Sequence, residues 1–394
     1  MQPTARRALY LYSALVVLLT ALAWGIALSH ASTPLFDPED RFSDLTDYAD
    51  KIANLSAGGP ALADDLPIFT YPAPALFVYV FFLRIFPNPV AAFLIFTGVA
   101  ATLAFGVLLR PRLPFVAIAA TLVCSYPLYF LADRGNIEIV VALFVITGVV
   151  CFFRRDYWWA CFAFALAASI KPFPLLYFYL FQTRRLYRQT AAGLAIVGLV
   201  NLASLAWLGP SIRIAYASLQ VGANAFLNDY VRNYRSDEIR FDHSLFSVVK
   251  RFIPHPAQIQ VAYPYYVGFA IAAIALGAWW FRRLPLLNQL FFVVLTLLLI
   301  PPVSYDYTLV YVHILWGALS LRTTPRFREL ILFALLTTPQ SYLFGYGGQF
   351  KALVLVYLFW FAAHTIDIGQ IGEPTQTVGA PHPELASRVQ TSGA

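Results

Sequence analysis

Charge is scarce in this sequence. Charged residues make up 12% of the 394, and no segment reads as a soluble domain. Cysteine is scarce too. Cys124, Cys151 and Cys161 all lie in apolar runs without metal-ligand spacing. That argues against a disulfide framework or a zinc site and leaves them as small buried hydrophobes. No Asp-x-Asp pair or His cluster has ligand spacing. No basic patch interleaved with aromatics marks a nucleic-acid surface, so the net charge of +7 has another origin. No internal repeat is evident, whereas transporters commonly show two related halves with paired broken helices.

What remains is hydrophobic. Apolar residues reach 60%, against roughly 45–50% in soluble domains. Apolar runs at 8–28, 73–86, 89–109, 113–132, 136–153, 157–182, 190–208, 261–281, 285–302, 305–321, 328–344 and 350–366 are separated by short loops. Many are long enough to span a bilayer. The expected fold is all-α, a polytopic membrane protein of about 11–13 transmembrane helices. It forms one domain over 1–366 with a disordered tail over 367–394. Arg6-Arg7 before the first run resembles a signal peptide, but that run exceeds the usual ~7–15 residues, so an uncleaved first helix is expected.

Lys and Arg set the orientation. Arg154-Arg155, Arg184-Arg185-Arg188, Arg282-Arg283 and Arg322-Arg326-Arg328 read as cytoplasmic. Segments 30–72, 210–258, Ser304–Thr308 and Gly345–Gly348 then face outside. Counting every run as one crossing puts Arg154-Arg155 outside and Asp133–Glu138 inside. A break at Lys171-Pro172-Phe173-Pro174 returns Arg154-Arg155 to the inside. Pro172 and Pro174 would interrupt a helix, which favours the break.

Two long hydrophilic segments stand out. The first, 30–72, holds Asp37, Glu39, Asp40, Asp44, Asp47, Asp50, Asp64 and Asp65 against Arg41 and Lys51. So many acids must lie in water or at the interface. A carboxylate held there beside apolar helices suits a general base acting on a lipid-borne substrate. The second, 210–258, spaces Phe226, Tyr230 and Tyr234 four apart, one face of a surface helix touching membrane lipids.

In order along the chain come Asp44 with Tyr48, then Tyr71-Pro72-Ala73-Pro74 opening a helix, then Arg134-Gly135-Asn136. Lys171-Pro172-Phe173-Pro174, Asp242-His243-Ser244-Leu245 and Pro302-Val303-Ser304-Tyr305-Asp306-Tyr307 follow. This series resembles the GT-C membrane glycosyltransferases of family 87, also called DUF2029, the phosphatidylinositol-mannoside mannosyltransferase-like group. The second Pro of that family's Tyr-Pro-Pro element is displaced here. The His often found in its last segment is Tyr307, so no His role carries over at that point.

The resemblance implies inverting transfer of a sugar, with mannose the family-weighted choice, from a polyprenyl-phosphate donor to a lipid or glycan acceptor hydroxyl. The site would face outside the bacterial inner membrane. Asp44 is the expected base, by the family's spacing, though it could instead cap a short loop helix; Asp47 is its rival. Tyr48 and Tyr71 would position the sugar or serve as interfacial aromatics. The leaving phosphate calls for a cation. Lys171 is the first candidate, set against simple snorkelling, and Arg134 with Asn136 is the second. Asn136 could also be a helix cap ahead of Glu138. His243 and Ser244 are candidates toward phosphate or acceptor, set against a solvated loop His. Asp306, beside Tyr305, would hold sugar hydroxyls or pair with Lys171. No cofactor is called for; a divalent metal is permitted but not implied. A transporter or flippase of a lipid-linked saccharide and a surface-polysaccharide polymerase or ligase are the competing readings.

Overall fold

The computed structural model describes residues 3–29, 41–46, 48, 70–109, 121–208, 211–233, 239–253, 255–322, 326–339, 341 and 345–364. Asp47, Tyr234 and the tail lie outside the described residues. Those described are helices and turns without a strand; one isolated bridge joins Asp242 to Tyr305.

Three helical stretches, Pro89–Gly106, Tyr187–Leu208 and Ala257–Phe281, are long and apolar enough to cross a membrane. Tyr10–Ile26, Ala73–Ile85, Glu138–Phe153, Tyr157–Ile170 and Leu286–Leu299 are shorter apolar helices. Large apolar side chains such as Ile95, Leu103, Leu199 and Ile271 stand on the outer surface. On a water-soluble protein such a surface would aggregate; here it meets lipid. The chain is an all-α polytopic membrane protein.

The helix Leu286–Leu299 is the centre of the bundle, with every residue from Leu287 to Leu299 buried. Close helix approach elsewhere relies on small residues. A Cβ on Gly148 would sit 2.5 Å from the Phe164 ring, and one on Gly193 would sit 2.2 Å from the Phe178 ring.

The break at Lys171 is present. The helix Tyr157–Ile170 stops at Lys171, which is extended at φ −136° and ψ 138° as a residue before proline prefers. A tight turn of 3-10 helix, Phe173–Tyr177, leads into Phe178–Thr183. Two other apolar runs are also interrupted. The run 113–132 is divided at Ser125, where Pro127 opens the helix Tyr126–Arg134. The run 305–321 begins as 3-10 helix over Asp306–Tyr311 before Val312–Arg322. Each interruption brings a polar segment to one end of the bundle.

That end is defined by contacts. Phe42 N–H donates to Asp133 O at 2.7 Å, joining the first long segment to the turn before Glu138. Gly348 N–H donates to Arg240 O at 2.7 Å, joining the second long segment to the last helix, Gly347–His364. Asp133–Glu138 therefore lies on the same face as 41–46, contrary to the count of one crossing per run. From Glu138 the helix to Phe153 runs about 24 Å at 1.5 Å per residue before Arg154-Arg155, so those arginines lie at the far end. Thr183 donates to Gln289 Oε1 at 2.7 Å, and Gln289 Nε2 donates to Leu284 O at 2.8 Å. Arg184-Arg185 and Arg282-Arg283 thus lie near one another.

Candidate active site

The turn between Arg134 and Glu138 is the hub. Arg134 ends its helix, and Gly135 follows at φ +66°, a left-handed conformation natural to glycine. A Cβ on Gly135 would lie 2.8 Å from Leu45 Cβ, so the short helix Ser43–Thr46 is seated on bare backbone. This seat turns Asp44 toward Asn136.

Asn136 is fully buried and uses both ends of its amide. Its Nδ2 donates to Asp44 Oδ2 at 2.6 Å and to the Tyr71 hydroxyl at 2.8 Å. Its Oδ1 accepts from Glu138 N–H at 3.0 Å and from Lys171 Nζ at 3.3 Å. Ile137, not Asn136, is the N-cap of the helix Glu138–Phe153, so the expected cap is corrected: Asn136 precedes it and ties its first N–H to the site. Tyr71 OH also lies 3.4 Å from Asp44 Oδ2. Lys171 forms an ion pair with Glu138, whose other oxygen accepts from Tyr311 OH. The Lys171 ammonium lies 5.3 Å from the centre of the Tyr71 ring and 5.1 Å from that of Tyr307.

Burial raises the Asp44 carboxyl above the ordinary aspartate value. The charges of Arg134 and Lys171 and the hydrogen bonds from Asn136 and Tyr71 oppose that rise without cancelling it. A carboxylate so placed is a better proton acceptor than one in water.

Tyr48 is buried and stacks on Tyr79 at 5.2 Å; its hydroxyl is 2.5 Å from Thr70 Oγ1. It therefore braces the wall behind Tyr71, to which it is edge-on at 5.7 Å. Tyr305 is half-buried, 6.0 Å from Tyr307 and 6.5 Å from Tyr230. Tyr230 in turn stacks on Phe226 at 5.2 Å, so the expected aromatic face of the second segment holds for those two residues.

His243, Ser244 and Asp306 do not join Asp44. All three are fully buried in a second cluster. Asp306 Oδ2 accepts from Lys351 Nζ at 2.7 Å and from Ser341 at 2.5 Å, and its Oδ1 faces His243 Nδ1 at 3.4 Å. His243 Nε2 lies 3.1 Å from Ser304 Oγ and 3.3 Å from Thr308 Oγ1. Ser244 caps the helix Leu245–Arg251, accepting from Ser247 N–H at 3.0 Å. The pairing of Asp306 with Lys171 is thus corrected: each has another partner. A solvated His243 is corrected as well. Low-dielectric surroundings demand a counter-charge for each buried ion, and Lys351 and Glu138 supply them.

Sequence reasoning passed over Glu138 as a first-turn acid and did not single out Lys351. Both are ionisable residues within apolar runs, the signal that pointed to Lys171. Among the described residues, no three His, Cys, Asp or Glu side chains gather as a metal site.

The sequence model of glycosyltransferase family 87 matches residues 69–304, more than half of the chain. The chain belongs to glycosyltransferase family 87. No curated protein and no solved structure is significantly similar to it. The matched stretch contains Tyr71, Arg134, Asn136, Lys171, His243 and Ser244. Asp44, Tyr48, Tyr305 and Asp306 fall outside it. This glycosyltransferase must bring a sugar donor and an acceptor together, which sets aside the transporter reading.

Proposed function

We propose that the enzyme moves a sugar, mannose by family weight, from a polyprenyl-phosphate donor to a hydroxyl of a lipid or glycan acceptor, with inversion. The observation that carries this reading is the single linked row Asp44, Asn136, Lys171. One carboxylate at one end and one cation at the other suit a direct displacement. Asp44 takes the acceptor proton as the acceptor oxygen bonds to the anomeric carbon. The bond from that carbon to the phosphate oxygen breaks, and the polyprenyl phosphate leaves with the electron pair beside Lys171. No second carboxylate is needed as nucleophile. Arg134 adds positive charge near the same row.

The reading also takes the site as extracytoplasmic in the bacterial inner membrane. Its support is charge: Arg154-Arg155 lies a helix length from Glu138, and the positive-inside bias assigns that far end to the cytoplasm. The hydrophobic carrier would lie among the apolar helices, with its phosphate at the polar end of the bundle.

The test is transfer by purified enzyme in detergent from synthetic polyprenyl-phosphate-mannose, with the glucose and arabinose analogues in parallel. Transfer that depends on Asp44 supports the reading. Full turnover by Asp44→Asn together with loss in Asp47→Asn would move the base to Asp47. Absence of transfer from every polyprenyl-phosphate sugar would overturn the donor class.

A further inference from the structure

Lys171 is a long, flexible side chain at a helix break, yet its ammonium is tightly placed. Its side chain is 13% exposed and that of Glu138 is 4%. Glu138 opens the helix Glu138–Phe153. Its Oε1 is held by Tyr311 OH, and its Oε2 pairs with Lys171. Asn136 Oδ1 takes a second Lys171 N–H. Among the described residues two acceptors, Glu138 and Asn136, take Lys171 N–H groups, and the ammonium otherwise faces the Tyr71 and Tyr307 rings, where a ligand would take the third. A free lysine would lose rotamer freedom on meeting an anion. Here Glu138 has fixed the ammonium in advance, so that cost is met in the folded protein.

We propose that Glu138, anchored by Tyr311, is a positioning residue that holds the Lys171 ammonium where the phosphate of a prenyl-phosphate donor meets it. This rests on the reading of Lys171 as the phosphate-facing cation. Glu138 itself touches no reacting atom. Its carboxylate also offsets the Lys171 charge, leaving the lysine to act through one directed N–H and not as an open electrostatic trap for anions.

The test measures binding of farnesyl phosphate, a prenyl monophosphate short enough for detergent solution, to the full chain, with donor and acceptor KM alongside. The wild type binds. Glu138→Gln weakens binding at least tenfold and raises donor KM in step, with acceptor KM within twofold. Tyr311→Phe shifts both in the same direction by a smaller factor. Lys171→Gln loses at least as much as Glu138→Gln, and the double variant loses no more than Lys171→Gln alone, because the two act as one unit. A merely structural Glu138 predicts something else: less folded protein, unchanged affinity in the folded fraction, and additive losses. Either of the last two results overturns the proposal. If Glu138→Gln does not fold, wild-type affinity in Tyr311→Phe overturns it instead. A wild type that binds no farnesyl phosphate overturns the phosphate reading beneath it. Binding lost in Lys171→Gln but kept in Glu138→Gln overturns the role of Glu138 alone.

Discussion

Asn136 Nδ2 lies 2.6 Å from Asp44 Oδ2 across 92 positions of sequence. The amide points Asp44 along the row that ends at Lys171. Its consequence is a trade between stability and activity. Asp44→Asn should cut turnover by about 10²–10⁴, the usual worth of a general base. The same change should leave the thermal midpoint equal to wild type or higher near neutral pH. A carboxyl whose value is raised in the folded state supports folding below its unfolded value. It loses that contribution as pH climbs through the folded one. Asparagine keeps the shape and an acceptor oxygen without the charge. Initial rates and thermal unfolding on one preparation check both halves. A midpoint well below wild type would show that Asp44 is held for structure.

The same shift gives a pH dependence. Burial raises the Asp44 carboxyl, so the acid limb of kcat/KM should lie above the ordinary aspartate range. Arg134 is the largest opposing influence. Arg134→Gln should therefore move the acid limb further up in pH, because a charge that favoured the carboxylate is gone. Rate profiles of wild type and Arg134→Gln over the same buffers test it. A limb that moves down in Arg134→Gln contradicts the placement of that charge.

Gly135 should be irreplaceable where Gly98 is not. Its φ of +66° is costly for any other residue, and an added methyl would lie 2.8 Å from Leu45 Cβ. Gly135→Ala should cost about 1–3 kcal/mol through backbone strain alone. It should also lift the Ser43–Thr46 helix and lower turnover. Gly98→Ala is the control, since a Cβ there meets nothing within 4 Å. Equal stability and activity in the two variants would show that the seat tolerates displacement.

Much of this molecule was legible in its sequence, and the reason is hydrocarbon. Apolar runs, the break at Lys171-Pro172 and the charge of loops such as Arg154-Arg155 all follow from what lipid tolerates. Individual side-chain pairings did not. Lys171 and Asp306 are opposite in sign and near the same end, so pairing them was natural. Their true partners, Glu138 and Lys351, come from elements whose mutual placement depends on packing around Leu286–Leu299. The fold of 210–258 was also opaque. Its polarity suggested a surface loop, yet Asp242 and His243 are buried because the last helix closes over them at Gly348, where a Cβ would strike Asp242 O at 2.4 Å.

The buried Lys351 makes the last prediction. Its ammonium and the Asp306 carboxylate are both wholly shielded, 2.7 Å apart, with Ser341 on both and His243 on the far oxygen. Removing one partner leaves the other as an uncompensated ion in a low dielectric. Lys351→Met should therefore cost about 3–5 kcal/mol. Removing both charges returns most of that, because neither is then stranded: Lys351→Met with Asp306→Asn should unfold much closer to wild type than Lys351→Met does. Unfolding midpoints of the two singles and the double measure the coupling. If the singles are mild and strictly additive, the cluster is a pair of independent buried groups. A large coupling means the ion pair pins the second long segment and the 3-10 turn Asp306–Tyr311 to the last helix. That turn also carries Tyr307, which flanks Lys171, and Tyr311, which holds Glu138. The double variant should accordingly recover fold before it recovers turnover.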